Sequence, residues 1–214
     1  VELEVCSASI AALFLFHSAL AVAEEPADDP PWAVSLQVGG YFDPSKGSAY
    51  LTPTLYADRD PLHFEIRYNY ENFDTVSVFV GWPFQFGSTE TFLHFSPMLG
   101  GAIGLSNGIA PGFELAAQWW RLSCWVEVEF LYDLDDPSTS SFYSWSGANF
   151  KIAPFLWVAG SMQQMKFVQD GHELEVGPGV GFSVGRVTLG FYYYFGIETS
   201  TQSALLNLNI ILNQ

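Results

Sequence analysis

The sequence predicts an all-β chain, an up-and-down antiparallel barrel of about twelve strands, or ten, that crosses a membrane. Three observations predict it. Strand-like segments with alternating apolar and polar residues follow one another from Trp32 to the C-terminus, with no convincing helix between them. Most of these segments run about 10 to 13 residues, longer than the five or six of a globular strand and close to the roughly 9 to 11 that a tilted strand needs to cross a bilayer. Aromatic residues make up 17% of the chain against 14% charged, the reverse of soluble usage, and they collect at segment ends around aliphatic middles, as interfacial girdles do.

Residues 1–23 read as a signal peptide. An apolar run over 8–23 ends in Ala21-Val22-Ala23, the small-x-small pattern of a cleavage site, although Glu2 and Glu4 stand where positive charge is usual. Leu3-Glu4-Val5-Cys6 precedes the run instead of following it, so it is not read as a lipidation site. Residues 24–31, E-E-P-A-D-D-P-P, form an acidic leader, and 32–214 the barrel domain. Loss of Cys6 with the signal leaves Cys124 alone, so no internal disulfide is expected.

The strands are placed near 32–42, 48–57, 62–71, 74–86, 91–105, 109–119, 122–132, 142–152, 155–165, 173–185, 187–196 and 203–213. Breakers such as D-P-S-K-G at 43–47, S-N-G at 106–108 and Q-D-G at 169–171 separate them. The third segment, L-H-F-E-I-R-Y-N-Y-E, alternates over ten positions. Leu62, Phe64, Ile66, Tyr68 and Tyr70 are assigned to lipid, and His63, Glu65, Arg67, Asn69 and Glu71 to the lumen. Val76, Val78, Val80, Leu189 and Phe191 are assigned to the outward band. Gly100 with Ala102 and Gly104, and Gly177 through Gly185 at alternate positions, suit a cramped interior. Pro53, Pro97, Pro111 and Pro178 fall on the apolar face and threaten the ladder, because proline lacks an N–H.

With a periplasmic N-terminus, Tyr68, Tyr70, Phe130, Tyr132, Tyr143, Tyr193 and Phe195 gather at the upper ends, and Trp82, Phe84, Phe95, Phe113, Trp119 and Trp157 at the lower ends. The loops at 133–141 and 166–172 then lie outside, and the Gly185-Arg186 turn in the periplasm. On these features residues 32–214 resemble a bacterial outer-membrane β-barrel. The segments R-Y-N-Y-E, Arg67 to Glu71, and P-M-L-G-G, Pro97 to Gly101, are similar to those of uncharacterised, porin-like envelope proteins. The resemblance implies a Gram-negative-type outer membrane, with its lipid as partner, and no activity.

With 23 acids against 7 bases the chain is not a nucleic-acid binder. Glu65, Arg67, Glu71, Glu114, Glu127, Glu129, Glu173 and Glu175 are expected to line the lumen. Such a wall attracts cations, so small cations or solutes are possible partners. The competing picture is a closed interior in which Arg67, Arg121, Lys151 and Arg186 pair with these acids. The expected role is non-enzymatic, either a narrow cation-preferring channel or a closed structural barrel; nothing fixes an oligomeric state.

Two alternatives stay open: a secreted soluble barrel or sandwich that binds a ligand, and a lipid-modifying hydrolase using His94 and Ser96. Outer-membrane phospholipases and lipid A deacylases resemble the latter in their H-x-S pair, with Asn107 or Glu114 available to orient the imidazole. They continue with Asn where Pro97 stands, and Leu93, Phe95 and Leu99 claim the lipid face here. His63, His94 and His172 lie on separate segments without metal-ligand spacing. Gly177-Pro178-Gly179-Val180-Gly181 reads as a strand face and not a phosphate loop, Asp133, Asp135 and Asp136 as a solvated loop, and Cys124 as a small hydrophobe. No catalytic residue, cofactor or metal is assigned.

Overall fold

The computed structural model describes residues 32–44, 46–169 and 171–213; the signal peptide and the acidic leader lie outside them. Thirteen strands follow in order: β1 (Ala33–Asp43), β2 (Ser48–Arg59), β3 (Leu62–Tyr68), β4 (Val76–Gly81), β5 (Phe84–Gly87), β6 (Thr91–Ile103), β7 (Gly108–Trp119), β8 (Leu122–Asp133), β9 (Ser141–Ala153), β10 (Leu156–Phe167), β11 (His172–Val184), β12 (Val187–Gly196) and β13 (Gln202–Asn213). A 3-10 turn, Pro137–Thr139, lies between β8 and β9.

Each strand pairs antiparallel with its neighbours, β1 pairs with β13 and β4 with β6, so the sheet closes on itself. β4 and β5 are two halves of one stave. β4 pairs with β6 from Val76↔Ile103 to Gly81↔Met98, and β5 resumes on the same partner at Phe84↔Phe95. Between them only the Trp82 N–H reaches the Pro97 carbonyl, at 3.1 Å. The barrel therefore has twelve staves. Pro83, which has no N–H to give, sits at the break in what the sequence suggested as one strand over 74–86.

The four other prolines remain inside strands, each where the ladder on one flank is already open. Pro111 pairs with Leu99, while on its other side the β7–β8 register skips from Ile109↔Tyr132 to Gly112↔Glu129. Pro178 pairs with Gly160, and the β11–β12 register skips from Val176↔Phe195 to Gly179↔Tyr192. Pro97 faces the β4–β5 break, and Pro53 stands just beyond the last β2–β3 pair, Thr54↔Arg67.

Turns of two or three residues close one end of the barrel, at 60–61, 88–90, 120–121, 154–155 and 185–186. Loops of four to seven residues close the other. Outer-membrane barrels keep their short turns in the periplasm, and by that rule the loop end is called the outer end. Two of the tight hairpins use a left-handed residue, Trp120 at φ 53° and Gly185 at φ 57°, the backbone such turns require.

Apolar side chains surround the barrel on the outside. Val76, Val78, Leu189 and Phe191 are all exposed, as are Trp82, Phe84 and Trp119 toward the short turns and Tyr68, Tyr132 and Phe195 toward the loops. In a bilayer this surface meets lipid. Among the described residues no helix is long and apolar enough to cross a membrane.

Three residues assigned to the aromatic belts point inward instead. Tyr143 and Trp157 share the inward parity of Trp145 and Ser161 on β9 and β10. Tyr70 follows Asn69, whose φ of 56° ends β3 at Tyr68 and breaks the alternation.

Two clusters of buried side chains lie in the interior. One cluster joins Trp125, Trp145, Trp157, Tyr192, Tyr194 and Leu205; a second joins Phe79, Met98, Ala102, Ala110 and Leu131. Glycines make room for the rings. Trp125, Phe79, Trp157 and Tyr192 each lie directly across the ladder from a glycine: Gly147, Gly100, Gly181 and Gly179. A Cβ on any of these four would come within 2.0–2.5 Å of the facing ring.

Candidate functional site

The ionisable residues inside the barrel meet around Arg67. Alternation on β3 points His63, Glu65 and Arg67 inward, β7 contributes Glu114, and β8 contributes Glu127 and Glu129. Arg67 is 2% exposed. Its Nε lies 2.5 Å from Glu65, and its Nη1 lies 2.9 Å from Glu127, 3.0 Å from Glu129 and 3.4 Å from Glu71. The guanidinium carbon stands 4.3 Å from the centre of the Phe79 ring and 4.6 Å from that of Tyr70, the stacked geometry of a cation on aromatic faces. The Tyr70 hydroxyl donates to Glu127 at 2.8 Å, and the Ser77 hydroxyl donates to Glu71.

His63 forms the second centre. Its Nδ1 is 2.5 Å from Asp58 Oδ1, its Nε2 is 2.7 Å from Glu65 Oε1, and Glu114 Oε2 stands 4.0 Å from Nε2. Six carboxylates, those of Asp58, Glu65, Glu71, Glu114, Glu127 and Glu129, thus surround two bases, Arg67 and His63. A buried charge needs a partner, and by formal count the acids exceed the bases.

Other sequence assignments fall elsewhere. Glu175 lies nearer the loop end, where its carboxylate accepts from the Ser203 hydroxyl at 2.9 Å, and Glu173 is exposed. Neither reaches the Arg67 cluster. Arg121, Lys151 and Arg186 do not pair with these acids. All three stand at the short-turn end; Arg121 lies over the Trp120 ring and Arg186 donates to the Leu212 carbonyl. Among the described residues no ion pair joins any of the three to an acid.

His94 and Ser96 point into the barrel, 1% and 0% exposed, while Leu93, Phe95 and Leu99 face outward. Ser96 is paired across the ladder with Glu114, and His94 with Ala116. Asn107 is held in an outer loop by Asp135, at 2.5 Å. The H-x-S pair is therefore sealed from the lipid on which a membrane hydrolase would act. Cys124 borders an outward depression with Val126, Ser146, Ala148, Gly160 and Met162.

Asp133 and Asp136 organise their own loop. Asp133 Oδ1 accepts the N–H groups of Asp135 and Asp136, and Asp136 Oδ1 accepts from the Ser138 N–H and hydroxyl. Those bonds from Ser138 hold the Asp136 carboxyl below the usual carboxylate range. His172, near the outer mouth, contacts Gln164 and Glu198.

Sequence reading placed His63 on the correct face without giving it a role, and it missed Asp58 and Tyr70. The one available signal for His63 was its i, i+2 spacing from Glu65. Tyr70 carried the opposite signal, since strict alternation assigns it to lipid.

No family model and no curated protein matches this chain. Solved structures do. The NanC porin superposes with a TM-score of 0.60 at 10% identity, covering 84% of this chain and 100% of that one. The KdgM porin gives 0.59 at 8% identity over 84% and 99%, and one structure of it is a complex with disordered oligogalacturonate. The outer-membrane protein Omp33 of Acinetobacter baumannii gives 0.50 at 12% identity over 85% and 98%. Identities this low speak to fold alone. Joined to a closed ring of twelve antiparallel staves and an apolar outer surface, they make this chain an outer-membrane β-barrel of porin-like architecture.

Proposed function

We propose that this chain is a non-enzymatic outer-membrane protein whose barrel rests closed, its interior a plug of side chains from its own wall. The observation that carries this reading is burial at mid-height. Glu65, Phe79 and Tyr194 are 0% exposed, so no water-sized space touches them. The small cavity above the cluster, bordered by Tyr70, Glu71, Glu129 and Tyr143, has a volume of about 10 Å³, room for a single water. The inward, buried position of His94 and Ser96 supports the absence of lipid hydrolysis.

In this reading Glu65, Arg67, Glu71, Glu114, Glu127 and Glu129 line the sealed middle of the lumen, and Glu173 and Glu175 its outer mouth. The excess of carboxylates favours a second reading, a narrow pathway selective for small cations. It disfavours polyanions of the oligogalacturonate kind, which an acidic wall repels.

Single-channel recording in planar bilayers tests both. The closed barrel gives no steady conductance steps after insertion, and opens only when the plug is thinned, as by Trp145→Ala with Tyr194→Ala. Ohmic steps from the unaltered protein would refute closure. If such steps favour potassium over chloride and lose that preference in Glu127→Gln with Glu129→Gln, the cation pathway replaces it.

A further inference from the structure

His63, Glu65 and Glu114 each offer a ligand atom, all within 4.8 Å of one another; β3 supplies the first two and β7 the third. We propose that His63 Nε2, Glu65 Oε1 and Glu114 Oε2 bind one divalent transition-metal ion of the Zn²⁺ type inside the barrel. This goes beyond the channel and plug readings and requires neither.

The first support is the orientation of the imidazole. Asp58 at 2.5 Å from Nδ1 is the carboxylate partner that metal-bound histidines usually have. It places a proton on Nδ1 and turns the Nε2 lone pair toward the interior. There Nε2 meets the Glu65 carboxylate at 2.7 Å, a contact that a protonated imidazole makes as a hydrogen bond and that a bound metal ion would take over. A metal at about 2.0–2.2 Å from each would widen the pair to roughly 3.3 Å. Glu114, at 4.0 Å, then needs only a small inward shift.

The second support is independent of that geometry. Glu114 Oε2 is buried with no hydrogen-bond partner, and so is the hydroxyl of Ser96, its cross-strand neighbour. Orphaned buried polar atoms in a folded protein call for an unseen water or ion. Ser96 borders the imidazole: a Cβ built on Gly81 would lie 2.8 Å from Ser96 Oγ and 3.2 Å from His63 Cδ2. Gly81 leaves that space open, and Ser96 or a water could complete a fourth position.

Charge and ligand type choose the ion. A surplus of buried carboxylates favours two added positive charges, and an imidazole beside two carboxylates suits Zn²⁺ or Mn²⁺ better than Ca²⁺ or Mg²⁺, which take oxygen alone. Asp58 is 17% exposed and lies one residue from the 60–61 turn, giving the ion a route from the periplasmic end.

The test uses the refolded full barrel, stripped with chelator and titrated with ZnCl₂ in detergent, with bound metal counted by elemental analysis after dialysis. One zinc per chain is expected, with affinity at least tenfold weaker in Glu114→Gln and His63→Gln and unchanged in Glu175→Gln. Each variant is first checked for the heat-modifiable gel shift of a folded barrel. Co²⁺ added to the unaltered protein should give a visible ligand-field band that Glu114→Gln removes, which keeps the test decisive if His63→Gln does not fold. No stoichiometric zinc, or equal zinc in Glu114→Gln and the unaltered barrel, overturns the site.

Discussion

Arg67→Met removes the one guanidinium at the centre of the interior while keeping most of its apolar stem. Four carboxylates lie within 3.4 Å of it, and their side chains are at most 7% exposed, so water cannot take over the lost pairing. Breaking a buried ion pair from one side costs about 3–5 kcal/mol, because the abandoned charges stay buried. Mutual repulsion among four carboxylates pushes the value to the upper part of that range, while the ring contacts with Phe79 and Tyr70 are partly kept by Met.

A stability of about 5–15 kcal/mol is usual for a domain, so this single change should remove about a quarter of it or more. Urea titration in lysolipid micelles, followed by tryptophan emission in both directions, reads the loss as a lower midpoint. Adding Glu127→Gln and Glu129→Gln to Arg67→Met should recover at least about 1 kcal/mol, since the amides leave less charge stranded. A loss below about 1 kcal/mol for Arg67→Met, or no recovery with the amides, would refute the claim that Arg67 holds the acidic interior together.

Val78→Arg places a charge on the outward face between β3 and β6, and should cost about 2–4 kcal/mol in bilayers if that position lies near the midplane; an unchanged unfolding midpoint in vesicles would contradict the lipid-facing assignment. Gly181→Ala drives a methyl into the Trp157 ring, 2.0 Å from its nearest atom, with an expected loss of about 1–3 kcal/mol and a shifted tryptophan emission. Purified barrel in mixed phospholipid micelles should release no fatty acid, with Ser96→Ala identical to the parent; a signal that disappears in the variant would restore the hydrolase reading.

The staves were legible because alternation and breakers are local properties, and β7 and β12 follow their sequence bounds within a residue. What stayed hidden depends on register. The glycine stripe on β11 announces a crowded face, but only the pairs Trp157↔Gly181 and Gly179↔Tyr192 say which rings fill it. His63 and Glu65 share a face by spacing alone, whereas Glu114 joins them only because β4 and β6 intervene with a particular offset. Tyr70 shows the limit of alternation itself, which carries no information about where the backbone leaves the strand. The prolines were informative in an unexpected way: those on the apolar face are kept at openings in the ladder, and Pro83, which attracted no notice, marks the divided stave.

The loops at the outer end are short and tied to one another. Asn72 donates to Ser106, Asn107 to Asp135, and the Val168 N–H to the Ser140 carbonyl. A seven-residue loop folded back on itself rises at most about 12 Å above its strands. Loops tied to one another in this way leave a protease few free tips to cut at this end of the barrel.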